Sequence, residues 1–218
     1  ITGVPKKLEV KLDKDSYIPE ETSSIFAGVY DQGGDLYEST INLKVFDSKN
    51  NVILDTAIPS GTSHKLKLEK YAVPGDYKIL SESPDFMVES KLVVNEFEKI
   101  NVYYEDNGLK VSNEGNVDID DGIIVTLDGS SYNLNLNVKP SEIKSYDLRD
   151  KVQKDGIYDI GVRFRDKTFT VNSNIIDDRG TFEKLTGNVV GEGGVVGSGM
   201  IYVLLILIII LIIYLIFS

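Results

Sequence analysis

Cysteine and tryptophan are absent from this 218-residue chain, and histidine occurs once. Without cysteine there is no disulfide framework, no thiol nucleophile and no thiolate metal site, so any exported domain must be held together by core packing alone. The single His64 leaves no imidazole cluster for zinc. It shares its strand face with Leu66 and Leu68, which makes it a partly buried residue at a sandwich rim, a catalytic or pH-sensing role being the alternative. Carboxylate pairs could still hydrolyse glycosides, but the sugar-stacking tryptophans of such a cleft are missing. These gaps remove most common catalytic designs, so the chain is read as a non-enzyme with no cofactor. No asparagine begins an Asn-x-Ser/Thr sequon, and N-glycosylation is not expected. Basic residues are also in deficit, 23 against 34 acidic for a net charge of -11. That balance makes nucleic acid a poor partner and repels the chain from anionic lipid head groups.

What the chain does have is an uncharged run. Residues 200–217 read MIYVLLILIIILIIYLIF, and no charged residue lies beyond Glu192. Eighteen residues at ~1.5 Å each make a helix of about 27 Å, close to the ~30 Å of a bilayer's hydrocarbon core. The run predicts a single transmembrane helix, with the lipid bilayer as its partner. Ile1 is not a methionine and no basic segment leading into an apolar stretch precedes it, as expected once a secretory signal has been removed. The N-terminal portion is therefore expected outside the cell in a single-pass membrane protein. A tail-anchored cytoplasmic protein would share the layout. The absence of cysteine in an exported chain points to a prokaryotic, archaeal or bacterial, surface.

From residue 5 to 173 the apolar residues recur with period two. Leu8, Val10 and Leu12 alternate with Glu9 and Lys11; Ile41, Leu43 and Val45 with Asn42 and Lys44; Leu66 and Leu68 with Lys65 and Lys67. Turn signals such as Gly33-Gly34, Pro74-Gly75, Asn107-Gly108, Asp128-Gly129 and Asp155-Gly156 interrupt them at sandwich-like spacing. The expected inward set includes Val111, Ile124, Ile160 and Val162 in the later half. Gly75-Asp76-Tyr77-Lys78-Ile79 is echoed by Gly156-Ile157-Tyr158-Asp159-Ile160. The pattern runs twice, predicting an all-β fold of two tandem immunoglobulin-like β-sandwiches, at 5–95 and 96–173. A Gly-rich juxtamembrane tether at 174–199 and the helix at 200–217 would follow. The Gly-x-Tyr spacing resembles the tyrosine corner of such domains, which makes Tyr77 and Tyr158 structural.

The segments Leu12-Asp13-Lys14-Asp15-Ser16-Tyr17-Ile18-Pro19-Glu20-Glu21, Val29-Tyr30-Asp31-Gln32-Gly33-Gly34 and Pro74-Gly75-Asp76-Tyr77 resemble the Ig-like modules of bacterial and archaeal surface proteins, including the macroglobulin-type ones. Those modules usually carry Gly after the Pro, where this chain has Glu20. Asn113-Glu114-Gly115-Asn116, at the end of Leu109-Lys110-Val111-Ser112, is similar to the strand exit of CARDB-like and NEW3-like domains of archaeal envelope proteins. The resemblance implies a fold family and a cell-surface setting rather than a chemistry.

Two further sets of residues carry expectations. Asn116, Asp118, Asp120 and Asp121 form an acidic cluster that is a candidate calcium site, although Asp121 stands where an EF-hand-like loop needs Gly and Asp128 where it needs Glu; the alternative is a solvated loop. Asp13 with Asp15 is a weaker candidate. Gly187/Gly191 and Gly193/Gly197 have the Gly-x-x-x-Gly spacing that permits close helix pairing, and Gly193 and Gly197 lie at the membrane end. Two function classes follow. One is a non-enzymatic surface protein presenting its sandwiches to protein partners or to copies of itself, in an envelope, filament or adhesion role. The other is an accessory subunit of a larger membrane complex for secretion, transport or an exported enzyme.

Overall fold

A computed structural model describes residues 3–176. The expected helix and the expected tether from residue 177 on, with Gly193 and Gly197, lie outside the described residues; Asn174 and Ile175, expected in the tether, instead end a strand that runs Lys167–Ile175. Among the described residues no helix is long and apolar enough to cross a membrane.

Fifteen strands account for the described chain, with one 3-10 turn at Arg149–Lys151. The first sandwich packs the sheet β1 (Pro5–Leu12), β3 (Thr22–Asp31) and β6 (Thr62–Lys67) on a second sheet. That second sheet holds, in order, β2 (Ser16–Tyr17), β8 (Met87–Val94), β7 (Gly75–Glu82), β4 (Thr40–Phe46) and β5 (Val52–Pro59). The second sandwich repeats the connectivity. β9 (Ile100–Glu105), β10 (Gly108–Asn113) and β13 (Ile143–Asp147) form one sheet. The other runs β12 (Ser130–Val138), β11 (Ile119–Leu127), β14 (Gly156–Phe164) and β15 (Lys167–Ile175). In each, the first, second and fifth long strands make one sheet and the third, fourth, sixth and seventh the other, an immunoglobulin-like Greek key. Neighbouring strands pair antiparallel except β2, which joins β8 in parallel.

Alternation explains the interior. Ile41, Leu43 and Val45 face Ile25, Ala27 and Val29 from the opposing sheet, all essentially inaccessible, and Leu66, Leu68, Tyr77, Ile79 and Leu92 close the first core. Val10 and Leu12 are half-buried at its margin. The second core is assembled separately, from Leu109, Val111, Ile119, Ile123, Val125, Leu127, Leu136, Ile160 and Val162. Ile124 does not point inward. Ile123-Ile124-Val125 offers an apolar residue in either phase, and pairing of Val125 with the buried Val162 places the odd-numbered residues inside.

Glu20, where related modules usually have Gly, adopts φ 67°. A left-handed backbone there explains the glycine preference, since a Cβ is disfavoured in that region.

Candidate functional site: the joint and the free end

The Asn113–Asn116 segment leaves β10 at the boundary between the two cores. Asn113 is inaccessible. Its Nδ2 donates to the carbonyls of Val117 (2.7 Å) and Val138 (3.1 Å), and its Oδ1 accepts from the Gly115 amide (2.8 Å). The loop is thus folded on its own side chain. Gly115 then passes so close to the connecting segment that a Cβ would collide with the Phe97 carbonyl, the Lys99 amide nitrogen (2.9 Å) and the Glu98 Cα (3.1 Å). Because all three are backbone atoms, no rotamer change could relieve the clash.

Asn116 completes the arrangement. Its Nδ2 donates to the Ala72 carbonyl of the first sandwich (2.9 Å) and to the Asn95 carbonyl (3.0 Å), while its Oδ1 accepts from the Phe97 amide (2.7 Å). One buried carboxamide therefore ties the first sandwich, the connector and the second sandwich together. Around it, Lys99 pairs with Glu114 at 2.7 Å and holds the carboxyl below the usual carboxylate range. Glu20 and Lys70 of the first sandwich add attraction to Lys99 and Glu114 respectively, which makes the charges alternate across the boundary. On another side, Arg165 in the β14–β15 turn bonds Glu98 of the connector and Asp121 (3.0 Å), whose carboxyl is lowered by that guanidinium and by the Gly122 amide.

The calcium candidates are not brought together. Asn116 is used up by the joint, Asp121 by Arg165, and Asp118 and Asp120 are exposed on either side of the buried Ile119. Among the described residues no group of three or more His, Cys, Asp or Glu side chains is placed to hold a metal ion. Asp13 accepts from the Ser24 amide (2.6 Å) and the Tyr17 hydroxyl (2.9 Å), which lower its carboxyl and make it a strand tie. His64 lies half-buried on β6 opposite Ile25. Tyr77 is buried in the first core with its hydroxyl against the Val73 backbone, and Tyr158 is half-buried with its hydroxyl donating to the Lys154 carbonyl at 2.6 Å. Each reaches back four residues, at the start of the sixth long strand of its sandwich.

The sequence offers Asn116 as part of a candidate calcium cluster, with a solvated loop as the alternative, and does not reveal the joint, because nothing local says that an asparagine will meet carbonyls 44 and 21 residues away. Nor does it reveal the free end. Opposite the joint, the β7–β8 loop of the first sandwich and the start of β4 line an open hollow of about 600 Å³, with Thr40, Asn42, Glu82, Pro84, Phe86 and Met87 around it. Met87 is 67% and Leu36 55% exposed. The β3–β4 and β7–β8 loops at this end correspond in strand order to loops with which immunoglobulin variable domains make contact. A second open groove, about 430 Å³, lies beside the joint between Lys70 and Tyr71 on one side and Asn101, Tyr103, Ser112 and Ile143 on the other.

No protein-family model matches the chain, and no curated protein does. Among solved structures it is similar to a trypsin-activated alpha-2-macroglobulin from Escherichia coli, at 14% identity and TM-score 0.39 over 78% of this chain. The chain spans 15% of that protein's length. Domains 5-6 of the S-layer protein SbsC align over 82% of this chain and 100% of theirs, at 14% identity and TM-score 0.32. A Dscam structure aligns over 80% of this chain and 46% of its own, at 10% identity and TM-score 0.39.

Proposed function

We propose that this chain is a membrane-anchored structural or binding protein, which presents two immunoglobulin-like sandwiches outside the cell in an envelope, filament or adhesion role. One observation carries the reading: the contact loops and the exit toward the uncharged run lie at opposite poles. The β14–β15 turn sits at the joint through Arg165, so β15 ends at the pole away from it. The apolar run at 200–217 follows that exit, while Leu36 and Met87 are exposed at the other pole. The joint between the poles gives the pair the stiffness a spacer requires, and protein partners engage the free end.

Fractionation with surface proteolysis tests this. The full chain should stay in the membrane after an alkaline carbonate wash, and protease added to intact cells should remove its sandwiches. Release by the wash, or protection until the cells are lysed, would contradict the proposal.

A further inference from the structure

An unpaired sheet edge is a template for another strand, and proteins usually blunt it with charge, proline or a covering segment. Three of the long edges here are blunted. β1 carries Lys6, Lys7, Glu9 and Lys11; β5 carries Asp55 and ends in Pro59. At β12 the outward Asn135 carbonyl is already taken by the Lys144 ammonium (2.9 Å) and the Tyr146 hydroxyl (2.6 Å). In the first sandwich the last strand, β8, is covered by β2. Its counterpart in the second sandwich, β15, pairs with β14 alone among the described strands. It is nine residues long, has no proline, and is uncharged after Lys167. Phe169 and Val171, on its core-facing side, remain half-exposed against the second core.

We infer that β15 is the contact by which two copies of this chain pair edge to edge, antiparallel, into one continuous eight-stranded sheet. The strand itself is complementary to a second copy. Val171 is the midpoint of Lys167–Ile175, so a two-fold axis there gives the longest overlap. It sets Thr170 opposite Asn172 of the other copy and Thr168 opposite Asn174 on the solvent face, where hydroxyls and amides can bond across the pair. On the core face it sets the large Phe169 over the small Ser173 and joins the two Val171 side chains. The two Lys167 residues fall at opposite ends, so no like charges meet. An isologous contact of this sort closes on itself.

The antiparallel sense has a consequence for the proposed function, on which it rests. Because β15 runs from the joint toward the exit pole, the paired copies point in opposite directions, as chains on two facing membranes do. The edge is then an adhesive contact between apposed surfaces.

Vesicles test it with the full-length chain inserted in phosphatidylcholine bilayers. Wild-type vesicles should cluster, with light scattering rising severalfold. Thr170→Lys with Asn172→Lys places lysines directly opposite one another in the pair and should abolish clustering, although both positions are solvent-facing and the melting temperature should hold. Thr170→Glu with Asn172→Glu should fail alone in the same way. Mixing the Lys and Glu vesicles should restore clustering, between the two populations only, an effect that mere loss of folding cannot produce. Independently, Thr170→Cys and Asn172→Cys chains, in a protein with no native cysteine, should form a mixed disulfide dimer when combined, and Asn133→Cys on β12 should not join it. Chains that co-float with vesicles but neither cluster nor cross-link overturn the pairing and leave the anchoring intact. Chains that fail to co-float overturn the anchoring, and the disulfide dimer in detergent then decides the pairing by itself.

Discussion

Asn116 and Gly115 show how much a single side chain, or its absence, governs here. Replacing Asn116 with Ala leaves the Phe97 amide and the Ala72 and Asn95 carbonyls without partners; unsatisfied buried groups cost about 1–3 kcal/mol. Calorimetry should show the two sandwiches, coupled in the wild type, melting in separate steps. Gly115→Ala forces a methyl against three backbone atoms and should cost about 3 kcal/mol, read from the denaturant midpoint of the second sandwich. Glu20 works in the other sense. Its left-handed backbone carries a penalty of about 1–2 kcal/mol for an L-residue. Glu20→Gly should therefore stabilise the protein by about 1 kcal/mol net of the chain entropy that glycine loses, and an unchanged or lower midpoint would show the turn unstrained.

Strands were the most legible elements. Ile41-x-Leu43-x-Val45 states its own inward face, whereas Ile123-Ile124-Val125 does not, and only pairing with β14 decides it. The Tyr158 contact is local, the tyrosine and its carbonyl partner lying four residues apart in sequence, whereas the Asn116 joint could not be read because its partners come from distant loops. At the two tyrosine-bearing strands the expected costs differ with burial. Tyr158→Phe removes one hydrogen bond and should lower the stability of the second sandwich by about 1 kcal/mol. Tyr77→Ala empties a buried site in the first core and should cost about 3 kcal/mol or more. Equal small effects at both positions would contradict a structural role for these residues.

For the molecule as a whole, the central claim is that two sandwiches stand end to end in one fixed orientation, so that the contact loops face away from the chain's exit. Acid should loosen that orientation. Glu114 is held low chiefly by Lys99, so its contribution is complete above the ordinary glutamate value of about 4.3 and disappears as pH falls through the lower folded value. Melting temperature should fall over that window, and Glu114→Gln should reduce the fall without removing the share due to Asp13 and Asp121, which are also lowered. The most direct measurement is a distance between spin labels on Asp55→Cys in the first sandwich and Asn133→Cys in the second, both exposed positions in a chain without native cysteine, diluted with unlabelled protein. A single narrow distribution that broadens in Asn116→Ala is the predicted result; a distribution already broad in the wild type, and indifferent to Asn116, would contradict the account.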